Sequence, residues 1–129
     1  MRREIISSSH APQPSGAYSQ AVLAHGSKLL FISGQLPFDP HSRALVGEGD
    51  IRAQTERVLD NLDAILRAAG MTFDSLVQVG IFLADLAHFE VVDELYARRF
   101  SIAPPARTTI NVVRFRRNVL IEIDGIATS

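Results

Sequence analysis

Hydrophobic positions along the chain follow two periods, and the switches between them mark out the elements. From Ile51 to Ala69 the apolar and small residues Thr55, Val58, Leu59, Leu62, Ile65, Leu66 and Ala69 recur at steps of three and four, which is one stripe of an amphipathic helix. Asp50 precedes it as a cap and Gly70 follows it as a stop. "HFEVVDELYARRF" predicts a second helix, with Phe89, Val92, Tyr96 and Phe100 on one side. The remaining apolar stretches are short and rich in β-branched residues. "YSQAVLAHG" and "KLLFISGQ" read as strands joined by a turn at His25-Gly26, followed by "LVQVGIFLAD", "RTTINVV" and "NVLIEIDGIA". "REIIS" offers a further strand at the start, and "HAPQPSG" reads as an ordered loop. The last two strands are predicted as an antiparallel pair around "RFRRN". Two helices on one face of a sheet of about five or six strands make an α+β layer pair. The uncovered face must then meet solvent or another subunit.

The predicted final hairpin has a consequence for one residue. Arg107 opens a β-branched strand after two prolines ("PPARTTINVV"), and no carboxylate lies nearer in sequence than Glu94 or Glu122. With an even loop, one face carries Ile110, Val112, Val119, Ile121 and Ile123 beneath the helices. The other carries Arg107, Thr109, Asn111, Glu122 and Asp124. Arg107 and Glu122 are then expected as cross-strand neighbours. On a wet sheet face such a pair is a salt bridge worth about 0–1 kcal/mol. Closed off by a second subunit, it becomes a planar fork for a ligand carboxylate beside an acid/base.

Composition narrows the chemistry. The 129 residues include no cysteine, which excludes disulfides, thiol nucleophiles and thiolate metal sites. The four histidines are scattered, so no metal site is expected. A net charge of −1 argues against nucleic acid or an anionic membrane as partner. "MRREIISSSHAP" has no apolar core of a secretory signal, and no apolar run nears the roughly 20 residues of a membrane helix. The expectation is a single cytoplasmic domain over residues 1–129. Ser33 in "ISGQ" lacks a nucleophile-elbow context. Arg114, Arg116 and Arg117 could touch phosphate but read as a solvated hairpin tip.

Five segments taken together, "APQPSGAYSQAV", "FISGQLPFDP", "QTERVLDNLDAILRAAG", "VQVGIFLADLAHFEVVDELYARRF" and "PPARTTINVV…VLIEIDGIA", resemble the RidA/YjgF family of reactive-intermediate deaminases, in the family's order over nearly the whole chain. The resemblance implies a chorismate-mutase-like α+β fold assembled as a homotrimer, with sites between subunits. It implies cofactor-independent hydrolysis of 2-imino (enamine-derived) acids, of the 2-iminobutanoate or 2-iminopropanoate type, to 2-oxo acids and ammonia. By motif it assigns carboxylate binding to Arg107, acid/base work to Glu122, a catalytic place beside them to Tyr18 as a hydrogen-bond donor that closes the pocket, and substrate-binding roles to Ser33 and Gly34. Departures from the family pattern are Ala17 for proline, Thr109 for cysteine, "RFRRN" for the usual "L-P-K-D" tip, and Asp93 for an asparagine that often faces the site. Asp93 and Thr109 therefore join the candidate substrate-binding residues. The competing readings are a pathway-specific enamine deaminase, a non-catalytic trimer that binds small carboxylates, and an endoribonuclease.

Overall fold

A computed structural model describes residues 2–129. Six strands and two α-helices run in the order β1 (Arg2–Ile6), β2 (Ala21–His25), β3 (Leu29–Gln35), α1 (Ile51–Ala68), β4 (Leu76–Leu83), α2 (Phe89–Ala97), β5 (Ala106–Asn111) and β6 (Ile121–Thr128). Each element falls on a segment predicted from the pattern, the optional first strand included. The six strands divide into two sheets: an antiparallel pair β1-β2, and a four-stranded mixed sheet in the order β3-β6-β4-β5.

Helix α1 forms as its caps require. The Asp50 side chain accepts from the Ala53 amide at 3.1 Å, a contact worth about 1 kcal/mol. Gly70 closes the helix at φ +73, where a side chain would be strained, and donates to Arg67 O. Val58, Leu59, Leu62 and Leu66 are buried on the inner stripe. They meet Val79, Ile81, Leu83, Ile121 and Ile123 of the sheet, and Val92, Leu95 and Tyr96 of α2. Gln54, also fully buried, replaces water with protein partners: Nε2 donates to Gly47 O and Asn118 O, and Oε1 accepts from Leu120 N at 2.8 Å. It fixes the connection that enters β6 to the first turn of α1.

The predicted β5–β6 hairpin is not formed. β4 lies between the two strands, parallel to β5 and antiparallel to β6. Its sequence "LVQVGIFL" suits a central position with its core residues Leu76, Val79, Ile81 and Leu83 fully buried. The nine-residue connection from β5 therefore passes over the end of β4, where Val112 N donates to Leu83 O and Ala84 N donates to Leu120 O.

This topology also reverses the predicted faces of β5. Val79 pairs with Arg107, Ile81 with Thr109 and Leu83 with Asn111, so these three polar residues point to the helix side. Ile110, expected beneath the helices, is on the open face and 44% exposed. β6 keeps the predicted faces: Ile121 and Ile123 are buried, whereas Glu122 pairs with Phe82 and Asp124 with Gly80 on the open side. That open face also exposes Leu29 and Phe31 of β3.

Candidate active site

The motif "GAYSQ" ties the loop before β2 to the strand that carries Arg107. Ser19 donates through Oγ to Pro104 O at 2.5 Å and through its amide to Pro105 O, forming a parallel bridge beside Ala106. Gln20 gathers the preceding loop, donating from Nε2 to Ser8 O, Ala11 O and Pro12 O and accepting the Ser8 amide on Oε1. The two prolines hold the other side of the bridge in extended backbone. Tyr18 is thereby fixed over the start of β5.

Arg107 lies in an aromatic box. Its Cζ is 5.2 Å from the ring centroid of Tyr18, 5.4 Å from Phe89 and 5.4 Å from Tyr96. Contacts of this kind contribute about 0.5–2 kcal/mol each, the more so where water is excluded. Nη1 donates to Ala17 O at 3.0 Å and to Asp93 Oδ1 at 2.5 Å. Asp93 also accepts the Ala17 amide at 3.0 Å, closing a small ring of contacts between α2, the loop and β5. The remaining edge of the guanidinium, Nε and Nη2, makes no hydrogen bond among the described residues. That edge has the two parallel donors that a carboxylate can accept together. Thr109 points to the same side of β5, and its buried Oγ1 has no partner among the described residues; Tyr96 Oη is likewise buried and, among those residues, unpaired.

The two tyrosines titrate in opposite directions. Hydrogen bonds from Ser15 lower the pKa of the Tyr18 phenol, with the Arg107 charge adding to the effect. Burial raises that of Tyr96 well above the ordinary phenol range, against the opposing pull of Arg107.

Glu122 belongs to a different place. It rises from the open face of the sheet over Gly34, so close that a Cβ at Gly34 would overlap its carboxylate. Ser33 and Gly34 lie where the β3–β6 register shifts between Ile32 and Gln35. The expected Arg107–Glu122 pair is thus replaced by Arg107–Asp93, and the two candidate residues occupy opposite faces of one sheet. The error came from the assumed hairpin, since pairing both strands with β4 reverses the face of one relative to the other. Tyr18, Asp93, Arg107 and Thr109 form one group; Gly34 and Glu122 form the second. Phe89 and Tyr96, which the sequence places on one side of α2, also wall the first group. Their spacing gave no sign of a cation between them. Among the described residues, no cluster of three or more potential ligands could hold a metal ion.

A family model described as "Endoribonuclease L-PSP" matches residues 8–129. The chain belongs to this family, the RidA/YjgF group. Protein DfrA of Myxococcus xanthus is 47% identical over 129 residues, spanning 100% of this chain and 98% of that protein. The 2-iminobutanoate/2-iminopropanoate deaminase of Rattus norvegicus is 40% identical over 125 residues, 97% of this chain and 89% of the rat protein. Among solved structures, a Rid-family protein of unknown function from Yersinia pestis superposes with a TM-score of 0.91 at 29% identity, covering 100% of both chains. Deaminase names among relatives support a deaminase at the level of the family. The RidA-type fold is that of these neighbours.

Proposed function

We propose that the protein hydrolyses short-lived 2-imino acids to 2-oxo acids and ammonia, without a cofactor, in clefts between the subunits of a homotrimer. The observation that carries this reading is the guanidinium of Arg107, boxed by three rings and fixed through Nη1, with its Nε–Nη2 edge unused. A 2-imino acid is planar at the reacting carbon and carries a carboxylate beside it. The free edge would hold that carboxylate and so set the plane of the C=N bond. Thr109 Oγ1, buried and unpaired, lies on the same strand face as a donor for the bound acid.

Glu122 faces away from Arg107 within one chain, so its part in the reaction is to come from a neighbouring subunit. The exposed Leu29, Phe31 and Ile110 of the open face supply apolar surface for that contact. The Glu122 carboxylate takes a proton from water as its oxygen attacks the imine carbon. The imine nitrogen receives that proton, giving a carbinolamine; its hydroxyl proton then passes through Glu122 to the same nitrogen, the C–N bond breaks with its electrons leaving on nitrogen as the C=O bond forms, and ammonia and the 2-oxo acid result. No redox partner is needed, because the carbon's oxidation state does not change.

Asp93 favours a second reading, a trimer that binds small carboxylates without turnover, since its charge already offsets that of Arg107. Ammonia release from 2-iminopropanoate generated in place, measured above the spontaneous rate, separates the two. The deaminase reading expects a rate that rises with protein concentration and is mostly lost in Arg107→Lys, which keeps the charge but not the fork. No release above background, with 2-oxo acid binding intact, would leave only the binding trimer.

A further inference from the structure

A groove of about 580 Å³ lies between α1, the segment after β3 and the 112–118 connection; Arg107 takes no part in it, and it meets the Glu122 group only at its edge, through Gly34. Arg43, Arg57, Arg116 and Arg117 all line it. The wall has one carboxylate, Asp39, and that group accepts the amides of His41 at 2.9 Å and Ser42 at 2.8 Å within its own turn. Arg57 is steadied by a bond from Nε to Asn61 Oδ1 at 3.1 Å, which leaves both terminal nitrogens free. Arg116 stands over the ring of Phe38, its Cζ 6.0 Å from the centroid. Among the described residues, no carboxylate forms an ion pair with any of the four.

Backbone geometry is a second, independent observation. Arg43 (φ 62) and Arg117 (φ 54) are two of the three non-glycine residues with positive φ among the described residues, the third being the adjacent Asn118 (φ 57). Such positions favour glycine, and side chains held there against strain concentrate at functional sites. Four unpaired like charges around one hollow add repulsion to that strain. An anion in the groove would relieve the repulsion.

We propose that this groove binds the phosphate or pyrophosphate end of a phosphorylated small molecule. Guanidiniums fork phosphate oxygens in pairs. Leu36, Phe38, Pro40 and Ile65, also in the lining, receive the apolar body of the ligand. The volume matches a small-molecule site rather than a track for a polymer. With a net charge of −1 the chain has no excess of positive charge beyond the groove to follow a polynucleotide backbone.

Titration calorimetry of the intact protein with inorganic pyrophosphate tests the assignment. Wild type should bind saturably, more weakly as salt is raised. Arg116→Ala with Arg117→Ala should lower the affinity roughly tenfold or more, charge-assisted bonds being the stronger class. Arg43→Gly should raise the melting temperature, by removing a side chain from the left-handed region, and still weaken binding. The proposal is overturned by absence of saturable binding, by wild-type affinity in either variant, or by a single-stranded RNA 12-mer that displaces pyrophosphate at lower concentration. The last result would give the groove to a polynucleotide.

Discussion

Arg107 and Asp93 are 2.5 Å apart, the arginine side chain 3% exposed and the aspartate 22%. A guanidinium so far from water needs a partner, and the chain supplies it from α2 rather than from the neighbouring strands. Asp93→Ala leaves the cation buried and the Ala17 amide unpaired, so it should cost about 3 kcal/mol in chemical denaturation. Asp93→Asn keeps an acceptor in place and should cost much less. It also removes the carboxylate that competes with the ligand's own. Inhibition by pyruvate should therefore tighten in Asp93→Asn, by about 3–10-fold, the order expected from loss of a nearby like charge. Unchanged or weaker inhibition would mean that Asp93 does not oppose the bound anion.

Gly34 makes room for Glu122. A methyl group there would overlap Oε2 and crowd Cδ and Cγ of the glutamate, but the obstacle is the end of a flexible side chain rather than backbone. Gly34 has no positive φ to protect. Gly34→Ala should therefore fold with a melting temperature close to wild type while its glutamate swings aside. Imine turnover should fall by roughly 10-fold or more, as expected when an acid/base group is displaced from its reach. Full turnover with the alanine in place would detach the carboxylate's position from catalysis.

The tyrosines give a pH signature. Absorbance near 295 nm should rise in two separate steps, Tyr18 below the ordinary phenol value of about 10 and Tyr96 above it. For Tyr18 the folded chain favours the ionised form, so stability grows as pH rises from its lowered value towards about 10. For Tyr96 the sign is opposite. Above about pH 10 the unfolded chain gives up that proton and the folded chain retains it, so stability falls with further increase. Tyr96→Phe should abolish the upper step and flatten the alkaline fall. A single merged step would mean that Tyr96 is not held neutral by burial.

Much of this arrangement could be read in the sequence because it is local. Asp50, Gly70 and the α1 stripe define a helix without reference to anything else; the cap and the stop stand where the pattern placed them, and the stripe is buried from Thr55 to Leu66 except that Ile65 is half-buried, while its last member, Ala69, is an exposed C-cap. Pairing between strands is not local. The β5–β6 hairpin followed from adjacency in sequence, and the insertion of β4 between them decided the face of Arg107. Motif resemblance brought Tyr18, Asp93 and Arg107 to attention together but not their contact. The contact depends on Ser19 and Gln20 clamping the loop, two residues whose roles appear only when Pro104, Pro105 and Ser8 are placed beside them. The arginine groove was hidden for the same reason. Arg43, Arg57 and Arg116 are far apart in sequence and meet only across α1 and its two flanking segments.

The opposite facing of Arg107 and Glu122 leads to the sharpest test of the proposed site. Two residues on different sides of one sheet cannot act on the same small substrate within a single chain. If they act together, the arginine of one subunit must meet the glutamate of the next. Arg107→Lys and Glu122→Gln should then each form trimers and each be nearly inactive, the second losing about 10²–10⁴-fold mainly in kcat. Mixing the two variants as unfolded chains in equal amounts and refolding them together should restore activity. In random trimers a site with both native residues needs an Arg107-bearing chain beside a Glu122-bearing one in the correct order. That occurs in about one quarter of the clefts of a closed cyclic trimer, so activity should recover to about one quarter of wild type. The double variant refolded with itself gives the background. A mixture no more active than its parents, with mixed trimers verified by mass, would exclude a shared cleft. Recovery near one quarter is a value that neither a monomeric site nor a site lacking Glu122 can produce.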